Sequence, residues 1–399
     1  MTANELYCRA FQKAMKLTAL VFDWTEPELI QGPGSVKDLP ALIQSKGIQR
    51  VLLVTDPGLM KIGLPKPLIE ALEAAGIFCA VYDQTCVNPT IQNVEDARQL
   101  YLEADCEAII AFGGGSPMDC AKGCGARVTN PKKSMMQMSG LLHVSKKLPP
   151  LFAVPTTAGT GSEATVAAVV TNPETHEKCP CNDPKLRPKY AVLDPALTVG
   201  LPQPITSTTG MDALTHAVEA YIGQSNTKYT AKRALEATTL IFRWLKKAYD
   251  NGADMEAREN MLLASYYAGV AFTRAYIGYV HGIAHNLGGY YNVPHGLANA
   301  IILPRVLEYY GESAYARLAD LADAAGVAGN TTEEKAKAFI QAIRDMNASM
   351  NIPDHFDCIQ EADIPLLAQR ALKESNPLYP VPKIMTQPEC EALIRNLMG

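Results

Sequence analysis

A chain of 399 residues, 48% hydrophobic and 19% charged, has the composition of a soluble globular protein of two or three domains and excludes an intrinsically disordered one. Its formal charge of −5 excludes nucleic acid or an anionic membrane surface as the main partner, because both reward a basic face, and no apolar run reaches the roughly 18 residues of a spanning helix. Ten cysteines without a C-x-x-C pair read as free thiols of a cytoplasmic protein, and Cys179-Pro180-Cys181 lacks the second pair that a structural zinc site needs.

Residues 1–25 are expected to form an N-terminal extension, a short amphipathic helix leading into a strand; they lack the long apolar segment and small-residue cleavage site of a secretory signal. From residue 50 apolar strand-like runs alternate with amphipathic helical ones: strand 50–55, helix 65–75, strand 77–82, helix 92–103, strand 107–112, helix 116–127 and strand 151–155. The alternation predicts an α/β domain over 26–201, built on a parallel, doubly wound sheet that binds ligands at the carboxyl ends of its strands.

Three of those strand ends carry candidate ligand residues. Strand 107–112 runs into Gly113-Gly114-Gly115-Ser116-Pro117-Met118-Asp119, which reads as a helix start with Ser116 as N-cap and Pro117 at the first helical position. Bare backbone beside a helix N-terminus suits a phosphate; a tight turn would use the same residues, and the spacing is not G-x-G-x-x-G. After strand 151–155, the loop to Ser162 offers the hydroxyls of Thr156, Thr157, Thr160 and Ser162 to phosphate or ribose oxygens. Two such loops suggest a dinucleotide. Asp56 ends the first strand, where a carboxylate accepts from ribose hydroxyls and repels a 2′-phosphate, favouring NAD over NADP; in Asp56-Pro57-Gly58 it reads equally as a turn residue.

A proline-punctuated connection over 194–206 marks a boundary, and 202–399 carries helical periodicity throughout, with helices expected over 229–249, 254–274, 313–325 and 332–350. Within this half Asp212 and His216 stand at i and i+4, His281 and His285 repeat that spacing, and His295 follows Asn292-Val293-Pro294. Four N/O ligands are therefore available with one histidine to spare, a composition that suits Fe²⁺ or Zn²⁺; the plain alternative is a set of hydrogen-bonded, partly buried histidines. With metal residues in one half and cofactor loops in the other, the active site is expected in a cleft between them.

Taken together, GGGSPMD (113–119), PTTAGTGSEAT (155–165), GMDALTHAVEAY (210–221) and GYVHGIAHNLGGYYNVPHGLANAI (278–301) closely resemble the iron-containing, or group III, alcohol dehydrogenases, from about residue 26 to the C-terminus. The resemblance implies an α/β N-terminal dinucleotide-binding domain with a parallel sheet, an all-α C-terminal domain, and NAD with a divalent metal, Fe²⁺ or Zn²⁺. It assigns Asp212, His216, His281 and His295 to the metal and His285 to the nicotinamide side. Gly114, Gly115, Ser116 and Asp119 match the pyrophosphate turn, Thr156, Thr157, Thr160 and Ser162 the second cofactor loop, and Asp56, Asn88 and Lys178 further cofactor positions. The implied reaction is hydride exchange between NAD(H) and a short alcohol or aldehyde, and a homodimer or larger homo-oligomer is expected. Similar architecture serves zinc-dependent glycerol dehydrogenases and dehydroquinate synthases, whose metal spacing fits less well.

Two stretches depart from that pattern. His176-Glu177-Lys178-Cys179-Pro180-Cys181 replaces the usual aliphatic run, which puts Lys178 in doubt. Phe272-Thr273-Arg274 stands where many relatives read Phe-Asn-Asn, making Phe272 and Arg274 candidate substrate residues. Arg274 precedes His281 by seven residues, two turns or roughly 10 Å on the same face if the helix continues. A guanidinium there would meet a distal anion, as in sulfoacetaldehyde or a semialdehyde; otherwise Arg274 is structural and the substrate a neutral short-chain aldehyde.

Overall fold

The computed structural model describes residues 2–18, 22, 24–174 and 178–399. The chain divides into an α/β unit, 23–200, and a helical unit formed by 201–399 together with 1–22. Among the described residues no helix is long and apolar enough to cross a membrane.

Six parallel strands make the main sheet of the α/β unit: β1 (Glu28–Gln31), β2 (Arg50–Val54), β3 (Phe78–Tyr82), β4 (Ala108–Gly113), β6 (Leu151–Pro155) and β9 (Tyr190–Leu193), in the order β1-β9-β6-β4-β2-β3. Helices cover both faces, which is why the central strands read as unbroken apolar runs. Successive side chains of one strand enter different cores: Leu52, Val54, Ile109 and Ala111 join one, while Val51, Leu53, Ile110 and Phe112 join the other. From β2 the chain winds outward to β3, then returns to place β4 on the opposite side of β2. The switch point therefore lies between β2 and β4, and the three loops singled out above follow the adjacent strands β2, β4 and β6.

A second sheet, of β5 (Gly140–Leu141), β7 (Ala167–Thr171) and β8 (Lys178–Asn182), has no counterpart in the sequence reading. Pro180 hid it, since proline argues against a central strand. Here β5 reaches only Cys181 and Asn182, so Pro180 lies beyond the doubly paired stretch. Cys179 and Cys181 alternate inward and are buried thiols of the core.

The helical unit is built on Gln203–Ile222, Lys228–Asp250, Met255–Ala275, Tyr279–Tyr291, His295–Tyr310, Glu312–Ala325, Thr332–Ser349, Ile364–Ser375 and Gln387–Arg395. Thr227, Asp254, Thr331 and Thr386 cap their helices with side-chain oxygens, a signal legible in sequence. Helix Gln203–Ile222 is buried on all sides from Gly210 onward, so it is the axis around which the others pack. Pro304 lies inside His295–Tyr310 and frees the carbonyl of Ala300, which Asn347 Nδ2 takes at 2.7 Å. The N-terminal helix, Ala3–Thr18, expected only as an extension, hydrogen-bonds to this unit. The strand expected after it falls on 19–21 and 23, which lie outside the described residues.

Candidate metal centre and cofactor loops

In the helical unit, Asp212 and His216 project from one face of Gln203–Ile222, His281 comes from Tyr279–Tyr291, and His295 is the first residue of His295–Tyr310. One ligand atom from each lies within 4.8 Å of the other three. A cation with bonds of about 2.1 Å spans about 4 Å between its ligands, so the cluster is near the size required. Nε2 of His281 is buried and, among the described residues, has no hydrogen-bond partner, a position that a buried polar atom holds at a cost unless a ligand completes it. Burial opposes the charge on Asp212, but the imidazoles of His216, His295 and His281 outweigh it and hold its pKa well below the usual range. Burial and the neighbouring imidazoles push His281 well below its ordinary pKa, leaving the neutral ring that binds metals. These residues fit a divalent cation.

Two polar residues around the cluster were not singled out in the sequence. Glu219, on the same face as His216 three residues on, accepts from Gly278 N and Val280 N at 2.8 Å each and lies 2.6 Å from His281 Nδ1. Burial pushes its pKa up to about 8 although the N–H groups of Gly278 and Val280 pull it down, and in the carboxylate form it accepts from all three donors. It thereby holds His281 with Nδ1–H donating and Nε2 facing the ligand position. Gly278 permits this, because a Cβ there would lie 2.8 Å from Glu219 Oε1. Asn299, one turn after His295, donates to Asp212 Oδ1 at 2.6 Å.

His285 is the histidine to spare. Its ring stacks on that of His295 at 5.2 Å, and Nδ1 lies 2.6 Å from Glu374 Oε1. Phe272 stacks on His216 at 4.1 Å and so forms an apolar wall of the centre. Arg274 does not share a helix face with His281: Met255–Ala275 ends at Tyr276, whose φ is 67°, and a new helix starts at Tyr279. The premise of a continuous helix fails. The Arg274 guanidinium lies instead 4.4 Å from the centre of the Tyr229 ring, a cation–π contact.

In the α/β unit, helix Gly115–Thr129 begins two residues earlier than the hydroxyl pattern indicates. Gly114 is the N-cap, Ser116 and Pro117 lie in the first turn, and no side chain caps the N–H groups. The reason is steric: at Gly113 the chain turns with φ 148°, and Cβ atoms on Gly114 and Gly115 would come within 3.2 Å of Thr157 and 3.0 Å of Thr160. The glycines let the two loops close on each other and leave a helix N-terminus open to an anion. Asp56 accepts from Leu59 N at 2.9 Å as N-cap of Pro57–Lys61, which is the turn role. Lys178 Nζ donates to Asn88 Oδ1 at 3.3 Å, bringing those two candidates together.

Asp119 and Ser162 are hydrogen-bonded to each other beneath the two loops. Asp119 accepts from Val169 N at 3.1 Å and Ser162 Oγ at 3.4 Å. Fully buried Lys122, one turn after Asp119, donates to Ser162 Oγ and Thr165 Oγ1 at 2.9 Å and to Ala167 O at 2.8 Å. Burial pulls its pKa down to about 8 against Asp119 and Glu163. Lys122 thus fastens the second loop to the first helix. Lys122→Met strands two carboxylates in the core and is expected to cost about 3–5 kcal/mol, read as a lower urea midpoint. An unchanged midpoint would show that the network does not hold the loops.

Residues 26–195 match the family described as iron-containing alcohol dehydrogenase, and residues 206–398 match the C-terminal part of the Fe-containing alcohol dehydrogenase family. The chain is 39% identical over 382 residues to the 1,3-propanediol dehydrogenase of Klebsiella pneumoniae, covering 94% of this chain and 98% of that one. The crystal structure of a 1,3-propanediol oxidoreductase superposes with a TM-score of 0.91 at 38% identity, covering 95% of this chain and 100% of that one. The sulfoacetaldehyde reductase of Bifidobacterium kashiwanohense in complex with NAD+ superposes at 0.85 with 27% identity, covering 94% and 98%. With both halves matched, and with four metal-ligand candidates from three helices brought to one point, the chain belongs to the iron-containing alcohol dehydrogenase family.

Proposed function

We propose that this oxidoreductase exchanges hydride between NAD(H) and a short, neutral primary alcohol or its aldehyde, with a divalent cation, Fe²⁺ or Zn²⁺, held by Asp212, His216, His281 and His295. The observation that carries the reading is that cluster, in which His281 Nε2 is buried and, among the described residues, without a hydrogen-bond partner. When bound, the cation supplies Lewis acidity to the alcohol or carbonyl oxygen and the nicotinamide supplies the hydride acceptor. Glu219 keeps the His281 lone pair aimed at the ligand position. His285 has Nδ1 engaged by Glu374, and Nε2 accepts the alcohol proton and passes it to water. Phe272, stacked on His216, keeps water from that side of the centre. The open N-terminus of Gly115–Thr129 receives the pyrophosphate, and the second oxygen of Asp56 remains to accept from a ribose hydroxyl.

Neutrality of the substrate rests on Arg274, whose charge lies over Tyr229 beyond a helix break. The named activity of the propanediol relative agrees with it, and that of the sulfoacetaldehyde reductase keeps the anionic reading in the test. The measurement is kcat/KM for propanal, lactaldehyde, succinic semialdehyde and sulfoacetaldehyde with NADH and NADPH, for wild type, Arg274→Ala and Asp56→Ser. The neutral aldehydes should lead by about tenfold or more, since an unpaired anion near an apolar wall loses at least about 1.4 kcal/mol. NADH should be preferred in the wild type, and Asp56→Ser, which retains a capping oxygen, should relax that preference. Preference for the anionic aldehydes that Arg274→Ala abolishes would overturn the neutral reading; equal use of both cofactors would leave Asp56 a cap alone.

A further inference from the structure

Residues 377–382 read Pro-Leu-Tyr-Pro-Val-Pro, a run rich in carbonyl oxygens and poor in N–H donors. The N-terminal helix, which lies outside both family matches, supplies the missing donors. Arg9 donates to Val381 O at 2.7 Å and Pro382 O at 2.9 Å, and Gln12 Nε2 donates to Tyr379 O at 2.7 Å and Pro377 O at 3.1 Å. Arg9 also donates to Gln12 Oε1 at 2.9 Å, so the two side chains act as one clamp. From the clamped segment the Tyr379 hydroxyl donates to Glu374 Oε1 at 2.9 Å, the oxygen that lies 2.6 Å from His285 Nδ1. The helices bearing Glu374 and His285 approach closely at Gly282, where a Cβ would fall 2.2 Å from Ser375 Oγ.

We infer that Glu374 is the positioning residue for His285 and that the N-terminal helix, through Arg9 and Gln12, holds Glu374 in place by way of Tyr379. The inference rests on the proton-exchange role of His285 stated above. A neutral imidazole exchanges tautomers and flips its ring readily; a carboxylate at Nδ1 selects one tautomer and one orientation, leaving Nε2 as the nitrogen that exchanges the proton. Tyr379 removes the choice left to Glu374, since its hydroxyl and the imidazole converge on one oxygen. The sixteen-residue helix Ala3–Thr18 thereby becomes part of the support of the active site, although it bears none of its reacting groups.

The test uses the full-length, zinc-loaded protein with 15N-labelled histidine, and steady-state reduction of propanal by NADH. In long-range proton–nitrogen spectra the His285 signals, assigned by their loss in His285→Gln, should report a single Nδ1–H tautomer in the wild type and a mixture in Glu374→Ala. Glu374→Ala should lower kcat by about tenfold to hundredfold with little change in KM for NADH. Glu374→Gln, whose amide oxygen still accepts from Nδ1–H, should recover most of the loss. Tyr379→Phe removes one hydroxyl only and should fall between. The pair Arg9→Ala with Gln12→Ala should lower kcat about threefold or more in the wild type and leave Glu374→Ala unchanged, because both changes act through one carboxylate. Fully additive losses, an unshifted tautomer in Glu374→Ala, or equal kcat in Glu374→Ala and wild type would each overturn the inference. Absence of any NADH turnover by the wild type would instead overturn the proposed function, and the tautomer measurement would still decide the role of Glu374.

Discussion

His281→Ala and Asp212→Asn are each expected to abolish metal retention and to lower kcat by a factor on the order of a thousand, since Lewis-acid stabilisation contributes several kcal/mol and each 1.4 kcal/mol is tenfold. Both residues are almost completely buried at the point where the ligand atoms converge, so no solvent molecule or neighbouring side chain replaces them without repacking. The effect differs from simple loss of a buried group. Asp212 is held as a carboxylate by three imidazoles, and Asp212→Asn removes the negative charge that offsets the cation while retaining the volume. Metal content by mass spectrometry, measured beside aldehyde-dependent NADH oxidation, separates the cases. Chelation of the wild type should abolish activity, Fe²⁺ should restore it, and the stabilisation lost should approach about 4 kcal/mol for a metal at a thousandfold its Kd. Full turnover by His281→Ala at wild-type metal content would remove the site from consideration.

Glu219→Ala is expected to have the largest effect on stability of any single change near the centre. It leaves Gly278 N, Val280 N and the His281 imidazole without their acceptor in a place that water does not reach. At about 1–3 kcal/mol for each buried group left unpaired, the helical unit should lose several kcal/mol and its Tm should fall by roughly 10 °C or more. Glu219→Gln keeps the shape but turns an amide N–H₂ toward a donor, so it should relieve only part of this and weaken metal binding about tenfold to hundredfold. The two readings, thermal unfolding and metal affinity, should move together, because Glu219 orders the turn that starts the helix of His281. A variant with full metal affinity and a lowered Tm would restrict Glu219 to the backbone role.

Local patterns carried much of this molecule. The alternation from residue 50, the helical periodicity of 202–399 and the spacing of Asp212 with His216 all express periods set by neighbouring backbone, and the corresponding strands and helices are present. Glu219 and Asn299 stood within reach of the same logic: each lies one turn from a candidate metal ligand, on its face of the helix. Lys122, one turn after Asp119, carried a weaker signal, since a lysine in an amphipathic helix reads as solvated and this one is buried.

Other features had no local signature. The helix bearing Arg274 stops at Tyr276 because Glu219, from a different helix, takes the N–H groups of Gly278 and Val280, and nothing in the run from 272 to 281 announces that partner. Glu374 meets His285 across 89 residues of sequence, and Arg9 meets Val381 across 372. Residue type and short-range spacing determined the α/β and helical halves and a shortlist of metal-ligand candidates, and the longer motifs carried the resemblance to the family. Only the tertiary structure decided that Glu374 meets His285, that Arg274 points at a tyrosine, and that the N-terminal helix hydrogen-bonds to the segment after Glu374. Those outcomes depend on which buried donor finds which acceptor, and that pairing is settled by packing between distant segments.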